Sequence, residues 1–216
     1  SVCNIFHAFT INIFCDEIAH TLGKDPLEHR LQMIGSDRVE SSKAPHQFDS
    51  KRMKNVLQIA TQKAGWGREL PEGHGLGLAL HYSFFSYVAS VAEVSVNNGK
   101  VKVVKIFTAA DCGLIVNPDT VKAQLEGAAV FGTSIALHGK ISTKTGVIEQ
   151  SNFHDYQVAR MSEAPEVEIE LVESQEASTG IGEPGVPVIA PANFNAIFDA
   201  TQKRYHSFPL SDHELV

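Results

Sequence analysis

Cysteine is scarce in this sequence and poorly spaced for chemistry. Cys3, Cys15 and Cys112 are the only three, and no two stand in a C-x-x-C arrangement. That spacing gives neither a zinc site nor a disulfide framework, and it excludes an iron–sulfur cluster ligated by this chain alone. Basic clusters are missing beyond Lys51-Arg52-Met53-Lys54, and 18 basic against 25 acidic residues leave a formal net charge of −7. Nucleic acid is thereby excluded as a partner. No apolar run reaches the length of about 18 residues that a membrane-spanning helix needs. A signal-peptide pattern does not appear, and neither does an initiating Met. The chain opens inside what reads as structured sequence. We therefore expect a piece of something longer, with any targeting segment in the missing part and the compartment left open.

The familiar catalytic signatures are missing too. Ten histidines are present, but none forms an H-E-x-x-H pair. His74, His81, His138 and His154 read as core or surface residues, and no metal ligand is expected from this chain. There is no G-x-S-x-G elbow. Gly73-His74-Gly75-Leu76-Gly77 has the look of a nucleotide loop, but no helix follows to present amides to phosphate.

What is present suits one sizeable core or two small lobes: 216 residues, 43% apolar and 20% charged. Residues 1–35 read as an extended entry followed by two helices. The first of these ends at Gly23. The second opens on Asp25 as cap with Pro26 in its first turn, and closes at Gly35. Residues 36–47 read as a loop. Ser50 to Ala64 is an amphipathic helix with Met53, Val56, Leu57, Ala60 and Ala64 on one face. Periodicity fails over residues 65–73, which separates a mainly helical piece (1–64) from an α+β core (75–216). We expect a mixed β-sheet with packed helices, both pieces belonging to a single domain fragment.

Within that core, Gly75 to Val96 reads as one long strand or two consecutive ones. Asn97-Asn98-Gly99 is a hairpin turn, and Val101 and Val103 start the return strand. Asn117 caps a helix that begins at Pro118 and runs to Leu137. Its interior holds Gly127 and Gly132, each costing about 1 kcal/mol against alanine. Close approach of a ligand would account for that cost, and so would tight helix packing; the sequence leaves the two even. A short hairpin surrounds Thr145-Gly146. Glu166 to Glu173 alternates as a strand, with its acidic row solvated or guarding an edge. Val188 to Thr201 is a buried helix, and Ser207 to Val216 a tail.

Between that strand and that helix lies Thr179-Gly180-Ile181-Gly182-Glu183-Pro184-Gly185. Glycine frees the backbone and proline removes a donor, so regular structure cannot continue here. Glu183 is held on a tight loop with little bulk around it, which suits a general base. Alone, such a run is more often a solvated turn.

Its company changes that. Asp111-Cys112-Gly113 runs on to Asn117-Pro118-Asp119, Gln124-Leu125-Glu126-Gly127 follows, and then Gln150 to Tyr156 and Gly180 to Gly185. Asp16 to His20, Gly23 to Pro26, Ala190-Pro191-Ala192 and Asn195-Ala196 extend the pattern in order. On these stretches the whole chain resembles the C-terminal part of the molybdenum-binding large subunit of the xanthine dehydrogenase and aldehyde oxidase family. The nearest branch is the isoquinoline 1-oxidoreductase type large (beta) subunit. The resemblance implies oxidation of an aldehyde or N-heteroaromatic substrate, with oxygen derived from water. It places Glu183 on the family's active-site glutamate, which takes the proton from that oxygen. It places Gln124 beside the molybdopterin, expected in its cytosine dinucleotide form. Gly127, Gly180 and Gly182 fall where backbone lies against the cofactor. The implied partners are an iron–sulfur small subunit and the upstream remainder of the large subunit. The competing expectation is a non-catalytic domain fragment that folds but binds no cofactor by itself. Cys3 and Asn12 depart from the family's glycine and glutamate, so the first dozen residues are expected to lack interactions that the full subunit makes.

Overall fold

The computed structural model describes residues 1–40 and 46–215; part of the expected 36–47 loop lies outside the described residues. The chain opens on helices α1 (Asn4–Thr21), α2 (Pro26–Ile34) and α3 (Ser50–Ala64). Strands β1 (His74–Ser83), β2 (Ser86–Asn97) and β3 (Lys100–Asp111) come next. Helix α4 (Pro118–Leu137) precedes the small hairpin β4 (Thr143–Lys144) and β5 (Val147–Ile148). Strand β6 (Glu166–Leu171) and helix α5 (Ile189–Thr201) complete the order.

The main sheet runs β1-β2-β3-β6, antiparallel except for β6, which lies parallel to β3 at the edge. The sheet is mixed, and helices cover both faces. On one face Phe9, Ile13, Val88, Val103, Ile106, Leu125, Ile189 and Ile197 share a core drawn from α1, α4 and α5. On the other, Val56, Leu57 and Ala60 of α3 pack with Leu78, Leu80, Tyr87, Val91 and Phe107. Successive strand residues alternate between these clusters, as a period of two requires. The helices of residues 1–64 thus share both cores with the strands.

All three hairpins use two-residue turns with positive φ at both positions, the arrangement that matches strand twist. Asn98-Gly99 and Thr145-Gly146 suit it chemically. The β1–β2 turn is made instead by Phe84 and Phe85, at φ 51° and 63°. Aromatics in that region are strained, and an otherwise continuous Tyr/Phe/Val run conceals the break they make.

Several glycines are explained by close contact. A Cβ on Gly77 would stand 2.1 Å from Ala196 N, and one on Gly75 would stand 2.3 Å from Ala196 O. Helix α5 therefore lies directly on the β1 backbone, and the glycines at the start of β1 are a packing surface. Gly132 is settled likewise: its Cβ would meet Ile189 Cβ at 2.5 Å, so α4 crosses α5 there.

Two expectations need correcting. The first residues are helical from Asn4 onward, not extended. Their buried set, Ala8, Phe9, Asn12, Ile13, Cys15, Asp16 and Ala19, follows helical spacing; isoleucines and phenylalanines on both faces conceal it. The last residues are not a loose tail, because Leu210 is buried in the core and Lys140 Nζ bonds Asp212 Oδ2 at 2.7 Å.

Within this chain Asn12 is fully buried and hydrogen-bonded through its whole amide. Its amide nitrogen donates to Ala8 O and Leu80 O, and its Oδ1 accepts from Leu80 N and Arg30 Nη1. Arg204 then links Asn195 to Asp16, so a buried polar chain ties α1 to β1 and α5.

Candidate functional site

The segment between β6 and α5 crosses the molecule pinned at three places. Beside β3 it pairs with the turn after Asp111: Leu114 N donates to Glu176 O at 2.8 Å, and Thr179 N to Cys112 O at 2.9 Å. Ser178 Oγ donates to Leu114 O at 2.5 Å. Gly113, at φ 73°, passes so close that a Cβ would stand 2.1 Å from Ala177 O. Beside the β1–β2 turn, Gly180 N donates to Phe84 O at 3.2 Å. Ser86 Oγ donates to Gly180 O at 2.6 Å and meets Thr179 Oγ1 at 2.7 Å. On α4, a Cβ on Gly185 would stand 2.7 Å from Ala128 Cβ and 3.0 Å from Leu125 Cδ2.

Glu183 stands on the exposed span between the last two pins. Val186 N donates to Glu183 O at 3.2 Å, closing the loop behind it. Its carboxylate is 47% exposed, and Ser1 Oγ donates to Glu183 O at 2.7 Å. The loop therefore presents an accessible carboxylate on a fixed backbone.

The structure brings Gly185 of the loop onto Leu125 and Ala128 of α4, the sequence neighbours of Gln124 and Gly127, while Gly180 lies against Phe84. Leu125 and Ala128 are buried toward the loop, whereas Gln124 and Gly127 are exposed. Among the 16 glycines, Gly127 and Gly182 stand apart. Neither has a positive φ, and neither has any atom within 4 Å of where a Cβ would be. Every other glycine is required by a turn or by close contact. Internal packing does not explain these two, and each faces open space, Gly182 in the loop and Gly127 on α4. The even choice between ligand and packing at the helix glycines therefore divides: Gly132 serves packing, and Gly127 faces outward.

The sequence gives no sign of what supports this loop. Ser86 lies 94 residues from Gly180, the acceptor of its hydrogen bond, and Arg52 lies 59 residues from Asp111. Partners so far apart leave no mark in local spacing. Burial pushes the Cys112 thiol up, with the Asp111 charge adding to it, so this cysteine stays protonated. Among the described residues no group of three or more His, Cys, Asp or Glu is placed to hold a metal ion. His138 pairs with Glu163 and His74 with Glu93. A cleft of about 690 Å³ runs between α3 and the segment after β6, and another of about 310 Å³ lies among Asp16, Trp66, Asn195 and Asp199. Glu183 lines neither; its loop lies on an open face.

Comparison with known proteins shows the family of the chain. A family model described as the molybdopterin cofactor-binding domain matches residues 27–165. The chain is 34% identical over 200 residues to the isoquinoline 1-oxidoreductase subunit beta of Brevundimonas diminuta, covering 90% of this chain and 24% of that protein. It is 33% identical over 208 residues to a membrane-bound aldehyde dehydrogenase (pyrroloquinoline-quinone) of Gluconacetobacter polyoxogenes, covering 93% and 27%. The chain thus spans about a quarter of the length of these curated relatives. The aldehyde oxidoreductase structure from Desulfovibrio gigas superposes with a TM-score of 0.72 at 13% identity, over 95% of this chain and 40% of that one, which shows a common fold. The chain belongs to the molybdopterin cofactor-binding domain family.

Proposed function

We propose that this chain is the part of a molybdenum hydroxylase large subunit that supplies the catalytic base and one wall of the cofactor site. Its substrate would be an aldehyde or an N-heteroaromatic ring, the two classes named in its relatives. The observation that carries this reading is the pair of unexplained glycines, Gly182 in the loop of Glu183 and Gly127 on the helix that the loop's Gly185 packs against, each open to space. A glycine inside an exposed helix costs about 1 kcal/mol, and a flat cofactor lying against α4 accounts for that cost. The residues fit such a group. Gln124 offers an amide that can donate and accept, while Gly127, Gly180 and Gly182 let backbone approach it. When bound, the cofactor would supply the two-electron redox chemistry that no side chain of this chain provides.

The chain's own contribution is proton management and position. Glu183, on its exposed loop, would take a proton from the water whose oxygen goes to the substrate. The pins at Ser86, Cys112 and Ala128 keep its backbone from drifting during that transfer. The cytosine dinucleotide form of the cofactor is part of this reading and rests on the resemblance of the matched stretches. So does the iron–sulfur small subunit as the exit for electrons; three cysteines without cluster spacing give this chain no such exit.

A second reading applies to the chain on its own: it folds but holds no cofactor. The open face at Glu183 favours it, as does a broad set of exposed apolar side chains. Ile11 and Phe14 of α1 and Leu22 just past its end are exposed, and Val116 and Met161 are 88% and 91% exposed. Such surface is what an adjoining part of a larger subunit covers. Elemental analysis separates the readings. Purified alone, the chain should contain little molybdenum; assembled with the upstream part of the large subunit and the small subunit, it should contain a stoichiometric amount. Full occupancy in the lone chain would end the second reading, and none in the assembly would end the first.

A further inference from the structure

The turn Asp111-Cys112-Gly113 has no part in the chemistry above, yet it is where helix α3 is linked to the segment that carries Glu183. We propose that Arg52 and Asp111 are a positioning pair: an ion pair that fixes this turn and, through it, holds the Glu183 loop in register. The catalytic half of this inference rests on the role given to Glu183 above; the mechanical half does not.

The chain of contacts is continuous. Arg52 Nε donates to Asp111 Oδ2 at 2.8 Å, and Arg52 Nη2 to Asp111 Oδ1 at 2.6 Å. This is the two-point grip that arginine makes and lysine cannot. Asp111 Oδ1 also accepts from Gly113 N at 3.1 Å, so the carboxylate that grips Arg52 shapes the turn as well. From that turn, Cys112 O and Leu114 N pair with Thr179 N and Glu176 O. Arg52 is itself fixed: its guanidinium lies 4.7 Å from the centre of the Tyr87 ring, whose hydroxyl accepts from Asp49 N at 2.8 Å. The Asp111 bond raises the Arg52 pKa further, so the guanidinium stays charged. The side chains are 18% and 3% exposed. A buried pair of this kind stabilises a fold weakly in net terms, while fixing geometry is a role it can fill.

Arg52→Met leaves a buried carboxylate uncompensated and is expected to cost too much of the fold to be informative. Arg52→Lys keeps the charge and loses the fork. Arg52→Met with Asp111→Asn removes both charges while the asparagine oxygen still accepts from Gly113 N. In both of these variants of the full chain we expect hydrogen exchange at the Leu114, Thr179 and Gly180 amides to accelerate by about tenfold or more, with the β1–β2 ladder amides unchanged. Wild-type protection at those three amides overturns the inference, and so does an equal loss across the whole sheet, which would make the pair an ordinary stabiliser. In the assembled enzyme, Arg52→Lys should lower kcat with KM unchanged. Faster exchange with normal kcat would contradict the catalytic half. Glu183→Gln serves as the reference: normal turnover there would overturn the catalytic reading itself and leave the exchange result standing.

Discussion

Gly127 and Gly132 share helix α4 and meet opposite demands. Gly132 has no room for a side chain, with Ile189 Cβ 2.5 Å from where its Cβ would be. Gly132→Ala should therefore destabilise the chain by about 1–3 kcal/mol, through overpacking between α4 and α5. Gly127 has nothing within 4 Å. Gly127→Ala should stabilise the isolated chain by about 1 kcal/mol on helix propensity alone. In the assembled enzyme the same change should reduce molybdenum content. Denaturant midpoints of the two variants, with elemental analysis of the second, check this directly. A Gly127→Ala chain that is less stable, or an assembly that keeps full molybdenum, would return Gly127 to ordinary packing. The sequence marks both glycines as unusual but cannot tell them apart. What differs is the neighbour across space, Ile189 for one and nothing for the other.

At the scale of elements, the segments with local signals are readable. Asp25 accepts from Leu27 N and Glu28 N as a helix cap should, and Asn117 Oδ1 accepts from Thr120 N. The Asn98-Gly99 turn falls where its chemistry requires. Helix α1 is not readable as a single helix, because apolar residues surround it and blur its periodicity. Its contact with β1 carries a pH dependence. His81 Nε2 stands 3.0 Å from Asn4 Oδ1, and burial, then His7, lowers the His81 pKa below its ordinary 6.5. Below that ordinary value the unfolded chain binds a proton that the folded His81 still refuses. Stability therefore falls on acidification through the window from 6.5 down to the lowered folded value, and is unaffected above it. Urea midpoints at about pH 7 and about pH 5 should differ more for the native chain than for His81→Gln. Equal differences would remove His81 from the account of α1 docking. The exposed apolar side chains of α1 make a second case. Phe14→Glu should leave the isolated chain's stability within about 0.5 kcal/mol of native, yet weaken assembly with the rest of the large subunit. A co-purification yield matching the native chain would show that this face is not covered.

Taken as a whole molecule, the chain is a sheet covered by helices on both faces, with the Glu183 loop exposed on one side. The mixed sheet, the glycine loop and the small-residue helix are legible because each has a composition that only a few structures tolerate. The supports of the loop are not, since Ser86 and Asp111 are brought to it by the β1–β2 turn and the end of β3. A turn built from Phe84-Phe85 also gives no warning of itself. On the proposed reading the cofactor cradle is shared with other polypeptide, in keeping with a chain that spans about a quarter of its curated relatives' length. The most direct measurement is therefore made on the assembled enzyme, with Glu183→Gln, which keeps shape and removes a proton acceptor. We expect turnover to fall by at least about 100-fold with molybdenum content at the native level, while Glu173→Gln stays within a few-fold of native. Near-native turnover by a fully loaded Glu183→Gln enzyme would contradict the assignment and leave the loop a glycine-rich turn with an incidental acid.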